Sequence, residues 1–249
     1  MKSVLFVTHC YSTVLPQYAG LLKFQLESLR ILDNKIAGSI SISVALCYNE
    51  DDVAVRDVYT YYRYHTPLDV RGIKLNIPML GRRCIGRNVA ALTNQCDMVW
   101  FTDCDHCFME EAVLGLSRAW EQGIAKGTGP ISMIFPKEIM IHKDHATGDK
   151  CVEDGCVQGR WGINPKDFIP KSYNRAIGGV QIVSGDWARR FGYLRDTDWQ
   201  KMPDDKHVPF SDFRDDIAYR RACLEHGRIE GVDLPGVYRM RHSLKTHPD

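Results

Sequence analysis

Asp103 and Asp105 stand one residue apart, directly after the apolar run Met98-Val99-Trp100-Phe101-Thr102. Two carboxylates so spaced in a turn can approach one hard cation, and Mg2+ and Mn2+ prefer carboxylate, water and phosphate oxygens. A cation held there would neutralise a diphosphate leaving group. Taken alone, Asp-x-Asp is a weak pattern that fits a solvated turn equally well. A second acidic pair, Asp215-Asp216, precedes Ile217-Ala218-Tyr219-Arg220. Acids suit a helix N-terminus, so capping competes with proton acceptance as their purpose. Arg82, Arg83 and Arg87, and in the tail Arg239, Arg241 and Lys245, leave room for phosphate. Thiols and imidazoles form a further constellation. Cys104 and Cys107 with Cys151 and Cys156, or His142 and His145 with Cys151 and Cys156, have spacings compatible with a structural Zn2+. Cys104 lies inside the acidic turn, which argues against the first set.

These residues need elements to place them. Val4 to Thr8 reads as a buried first strand, and Leu22, Leu26 and Leu29 recur at helical spacing within a helix over 17–32. Ile40 to Cys47 reads as a second strand ending in the polar turn Tyr48 to Asp52. Strand, helix, strand in that order favours a parallel sheet with a crossover helix. Gly81 to Gly86 reads as a basic, glycine-bounded loop and Arg87 to Gln95 as a helix. Met98 to Thr102 is a strand that delivers Asp103 and Asp105 at its carboxyl end, where open α/β sheets bind ligands. Helices are expected at 111–121 and 215–225, a strand at 131–135, and a long surface loop over 142–164. The expectation is an α/β fold in one continuous domain, with a central, mostly parallel sheet flanked by helices.

The chain has 249 residues, 44% of them apolar and 25% charged, with a formal net charge of +1. The overall balance gives no sign of nucleic-acid or membrane binding. No stretch approaches the length of a transmembrane helix, and a cytoplasmic location is expected. The 9 cysteines are then reduced thiols, with Cys47 and Cys223 reading as small buried hydrophobes.

Two segments, Gly86-Arg87-Asn88-Val89-Ala90-Ala91 and Cys96 to Asp105, resemble the central part of family 2 glycosyltransferases. Ile177-Gly178-Gly179-Val180-Gln181 resembles the glycine-rich segment beside donor sugar and acceptor, and Phe213 to Arg220 the acidic pair before the last core helix. Three positions depart from the pattern. Thr8-His9-Cys10-Tyr11 replaces the usual proline and asparagine, the acidic pair is Asp-Asp rather than Glu-Asp, and Cys104 separates the first two acids. The resemblance implies a GT-A fold, with 1–110 as the nucleotide-binding half and 111–249 as the acceptor-binding half and tail. It implies metal-dependent sugar transfer from a UDP- or GDP-sugar, with inversion as the family default. Thr8, with Asn49 or Asp51, would border the nucleotide, Arg87 would lie near the base or diphosphate, and Gly178 and Gly179 near the sugar. Asp105, and Asp103 through water or ribose, would hold Mn2+ or Mg2+, with His242 as a third ligand. Asp216 would deprotonate the acceptor hydroxyl, with Asp215 as the neighbouring choice. The acceptor stays open among a glycan, a lipid-linked sugar, a protein and a modified nucleic-acid base. A non-catalytic module stabilised by zinc is the rival. A nucleotidyltransferase is disfavoured, because Thr8 to Tyr11 lacks the glycine-rich, lysine-containing segment such enzymes carry after the first strand.

Overall fold

Val4 and Phe6 alternate with Leu5 and Val7 along the first strand, and all are buried. A strand apolar on both faces belongs inside a sheet covered on each side. The computed structural model describes residues 2–13, 16–119, 131–143, 164–201 and 214–241. Its first half runs β1 (Lys2–His9), α1 (Gln17–Lys35), β2 (Ile40–Tyr48), α2 (Val53–His65), β3 (Asp69–Lys74), α3 (Ile77–Gly81), α4 (Arg83–Thr93) and β4 (Met98–Phe101). Next come β5 (His106–Phe108), α5 (Glu110–Ala119), β6 (Ile131–Pro136), β7 (Glu138–His142), β8 (Phe168–Ser172) and β9 (Gln181–Ser184). The last elements are α6 (Gly185–Phe191), α7 (Asp215–His226), β10 (Arg228–Val232) and β11 (Val237–Arg239).

The main sheet has the order β10-β6-β9-β4-β1-β2-β3. Strands β3, β2, β1 and β4 run parallel, and β9 lies antiparallel between β4 and β6. The chain lays β2 and β3 on one side of β1 and then returns to place β4 on the other. That reversal opens a crevice at the carboxyl ends of β1 and β4, the preferred ligand site of such sheets. Phe6 and Trp100 point to one face, where they meet Leu22, Leu26 and Leu29 of α1 and Leu116 of α5. Leu5, Val7 and Phe101 point to the other, against Ala90 and Ala91 of α4, Ala188 of α6 and Tyr219 of α7.

The reading of Gly81 to Gly86 as a loop is corrected, since α4 already begins at Arg83. Its reason is close packing: a Cβ on Gly86 would lie 2.6 Å from both Cys47 Sγ and His9 Nε2, so the glycine seats the helix on the sheet. A second sheet, β5-β11-β7-β8, was not anticipated. It joins the main sheet at Lys137, the residue between β6 and β7, and pairs β11 antiparallel to β5. Met240 N then donates to Asp105 O at 2.8 Å, tying the chain after β11 to the acidic turn. No helix among the described residues is long and apolar enough to cross a membrane. Cys47 and Cys223 are buried free thiols, as expected.

Candidate functional site

Strand β4 is buried along its whole length, which fixes where the turn after it must emerge. Thr102 N donates to Val7 O at 2.9 Å, so the pairing with β1 continues one residue past the strand. Asp103 then faces the crevice with 30% of its side chain exposed. Arg83 and Arg87 are four apart on α4, hence on one face of it, and both guanidiniums contact Asp103 Oδ1 at 3.1 Å. Burial would raise the Asp103 carboxyl, but Arg83 and Arg87 outweigh that and hold it below the ordinary aspartate value. Gln25 of α1 fixes the turn from the other side, Nε2 donating to Asp103 O at 2.8 Å.

Asp105 is buried, and its Oδ2 is held by an arginine while its Oδ1 lies close to an imidazole. Arg239 Nε donates to Oδ2 at 2.8 Å, and His106 Nδ1 lies 2.8 Å from Oδ1. One ligand atom each from Asp103, Asp105 and His106 lie within 4.8 Å of one another. His106 is 1% exposed, and its Nε2 has no hydrogen-bond partner among the described residues. An orphaned imidazole nitrogen beside two carboxylates is a donor set that could hold a divalent metal ion. His242 lies outside the described residues, so among these it is His106 that completes the group.

Gly178 and Gly179 form the wall between the two acidic pairs. A Cβ on Gly179 would come 2.4 Å from His106 Cε1 and 3.0 Å from Asp103 Oδ2, and one on Gly178 would come 3.2 Å from Asp216 Cβ. At Gly179 only a glycine allows this approach, and at Gly178 a Cβ would crowd Asp216. The second pair opens α7. Asp215 is 1% exposed and its Oδ1 pairs with Arg83 Nη2 at 3.1 Å. Asp216 is half-buried, and its Oδ1 has no hydrogen-bond partner among the described residues. Burial pushes its carboxyl above the ordinary aspartate value, against the pull of Arg83.

A chain of hydrogen bonds joins the two pairs beneath the glycines. Arg87 Nη1 donates to Tyr193 Oη at 2.9 Å, Tyr193 Oη donates to Gln181 Oε1 at 2.9 Å, and Gln181 Nε2 donates to Asp216 O at 3.0 Å. Arg87 also donates to Gly178 O at 3.0 Å. The structure thus brings Arg87, Asp103, Asp105, Gly178, Gly179, Asp215 and Asp216 together.

The remaining candidates have other settings. Thr8 is wholly buried in β1. Asn49 spends its side chain on its own corner, Nδ2 donating to Leu75 O at 3.0 Å and Oδ1 accepting from Asp51 N at 2.9 Å. Asp51 is exposed, while Asp52 caps α2 and accepts from Ser12 N at 2.6 Å, holding the loop after β1. His142 is buried with its ring edge-on to Phe168; its proposed zinc partners His145, Cys151 and Cys156 lie outside the described residues. Cys104 and Cys107 pack into different apolar clusters. Sequence reasoning missed His106, Gln181 and Tyr193, and gave Arg83 and Arg239 no role beyond charge. The signal for Arg83 was its four-residue offset from Arg87.

No family model and no curated protein sequence matches this chain. Solved structures do. S. aureus TarS 1-349 in complex with UDP-GlcNAc superposes with a TM-score of 0.52 at 16% identity, over 98% of this chain and 59% of that one. A second structure of S. aureus TarS 1-349 gives a TM-score of 0.51 at 16% identity, over 96% and 60%. This chain therefore spans about 60% of the length of that TarS fragment. The likeness establishes the architecture: a mixed α/β chain whose central seven-stranded sheet, flanked by helices, has the GT-A fold of glycosyltransferases.

Proposed function

We propose that this chain transfers a sugar from a nucleotide-sugar to an acceptor hydroxyl, with inversion and with a divalent cation. The observation that carries the reading is the convergence of Asp103, Asp105 and His106 at the carboxyl end of β4, across Gly178 and Gly179 from Asp216. Asp103, Asp105 and His106 would hold Mn2+ or Mg2+, which when bound supplies positive charge against the leaving diphosphate. Asp103, Asp105, Asp215 and Asp216 face Arg83, Arg87 and Arg239. One negative charge is left over, which suits a cation there. A UDP-sugar is the first donor to test, because TarS was solved with UDP-GlcNAc on the same fold.

The remaining steps belong to the chain's own residues. Arg83 and Arg87 keep Asp103 ionised and oriented, and Arg239 orients Asp105. The glycines let a sugar lie close to both acidic pairs. Asp216 accepts the proton of the attacking hydroxyl. Asp215 is less suited to that work, because one of its oxygens is already committed to Arg83. Burial raises the basicity of Asp216, which serves a general base.

The test is release of UDP from a panel of UDP-sugars by the purified chain with Mn2+, followed by addition of chelator. Release that stops with chelator and returns with excess Mn2+ supports the reading. Absence of both UDP binding and UDP release across the panel would overturn the UDP assignment, and the same result with GDP-sugars the whole reading.

A further inference from the structure

A cleft of about 570 Å³ opens where the two sheets meet, between Phe135, Lys137, Glu138, Tyr173, Asn174 and Asp233. That volume lies within the range of small-ligand sites, roughly 300–1,000 Å³. The walls are fixed by backbone bonds: Lys137 N donates to Val232 O at 2.9 Å, and Tyr173 N donates to Lys137 O at 2.7 Å. Gly231 makes space for the aromatic wall, since a Cβ there would sit 3.0 Å from Phe135 Cζ. Two links lead from the lining towards the acidic site. Tyr173 lies beside Arg239, and Arg239 Nε donates to Asp105 Oδ2 at 2.8 Å. The chain leading on from Tyr173 and Asn174 reaches Gly178 and Gly179, which lie against Asp216 and Asp103.

The lining specifies its ligand chemically. The carboxylates of Glu138 and Asp233 accept hydrogen bonds, the ammonium of Lys137 donates them, and Asn174 does both. The lining itself carries two acids and one lysine, with Lys171 Nζ outside it, 5.7 Å from the centre of the Tyr173 ring. The cleft thus has no surplus positive charge to hold a phosphate, unlike the arginines around Asp103. Closely spaced donors and acceptors beside an aromatic wall suit a neutral molecule whose own hydroxyls both give and accept. We infer that this cleft is the acceptor subsite and that it takes an uncharged saccharide, its ring against Tyr173 and its hydroxyls on Glu138, Asp233 and Asn174. The acceptor role rests on the glycosyl-transfer reading above.

Saturation-transfer NMR on the full chain tests it, with methyl β-glucoside, N-acetylglucosamine and lactose as probes and glucose 1-phosphate as the charged competitor. At least one neutral sugar should bind, and glucose 1-phosphate should not displace it. Asp233→Asn and Glu138→Gln, both at exposed positions, should each weaken that binding by about tenfold with an unchanged unfolding midpoint. No binding by any of the neutral sugars overturns the inference. So does binding indifferent to both substitutions, or displacement by the phosphate. UDP binding with Mn2+, measured alongside, separates the two failures. If UDP binds and no sugar does, the cleft assignment alone falls. If a sugar binds in the cleft and neither UDP nor GDP binds, the glycosyl-transfer reading falls and takes the acceptor role with it.

Discussion

Asp105 is fixed at two points: Arg239 donates to Oδ2, and its backbone carbonyl accepts from Met240 N. A carboxylate so fixed costs little further ordering when it takes a ligand. Asp105→Ala should abolish Mn2+-dependent turnover, and UDP titrated with and without Mn2+ should show no difference between the two; an undiminished Mn2+ effect would remove Asp105 from the metal site. Asp216 makes a separate prediction. Its carboxyl titrates above the ordinary aspartate value of 3.8 because burial disfavours the charge. A base works ionised, so kcat/KM should rise with pH through an inflection above that value. Asp216→Asn should erase the inflection and cost turnover on the order of 10²–10⁴-fold with donor binding intact. Asp215→Asn as the dead variant and Asp216→Asn as the active one would shift the base by one residue. For stability the sign is opposite to that of a salt-bridged acid. Asp216 favours the fold most below the unfolded aspartate value, and that contribution is lost as pH rises through its raised one. Asp103 contributes above the ordinary value and loses its contribution in acid. Asp103 and Asp105 were legible in the sequence because they directly follow an apolar strand, at the end where open α/β sheets bind ligands. His106 was not, because an imidazole next to an acid gains meaning only when the turn folds it back.

Helix α4 carries the electrostatics of the site, and its seat on the sheet depends on one missing methyl group. Gly86 lets the helix approach Cys47 and His9. That proximity sets Arg87, fully buried, under Asp103 and the ring of Tyr193, whose centroid is 5.3 Å from the guanidinium. Gly86→Val should cost about 1–3 kcal/mol through overpacking, and displacement of both arginines should lower turnover more than the stability loss accounts for. Urea melts and kinetics on the same preparation check this; lost stability with untouched kcat would make Gly86 a packing residue only. Arg87→Met probes the helix from its charged side. Asp103 keeps Arg83, but Tyr193 Oη and Gly178 O lose their charged donor, so a loss of about 1.5–3 kcal/mol is expected in the same urea melts. Elements with strong periodicity, such as α1 and the strands around it, could be read from the chain. The start of α4 could not, because its basic residues and glycines suggest a loop until the sheet supplies the surface they pack on. The second sheet was hidden for a related reason. Strands β5 and β11 span only His106–Phe108 and Val237–Arg239, too short for a periodic signal, and their pairing is set by partners far away in the chain.

At the level of the whole molecule, the site is a seam. The main sheet supplies Asp103 through β4, and the second sheet supplies His106 through β5 and Arg239 through β11. Ligand binding at a seam couples the two sheets, so it should register in global stability. UDP at about 100 times its Kd should add about 2.7 kcal/mol, which for a chain of this size corresponds to a rise in Tm of about 5–10 °C. The shift should require Mn2+ and vanish with chelator. The same measurement decides which histidine completes the metal site. A chain lacking 242–249 keeps Arg239 and the Met240 hydrogen bond, and so keeps the seam, but has lost His242. If His106 is the third ligand, this shortened chain should show the full Mn2+-dependent shift while His106→Ala shows a greatly reduced one. His106→Asn, which keeps a polar side chain beneath Gly179, separates loss of a ligand from loss of packing. A shortened chain whose UDP shift no longer responds to Mn2+, beside a His106→Ala protein whose shift still does, would return the third position to His242.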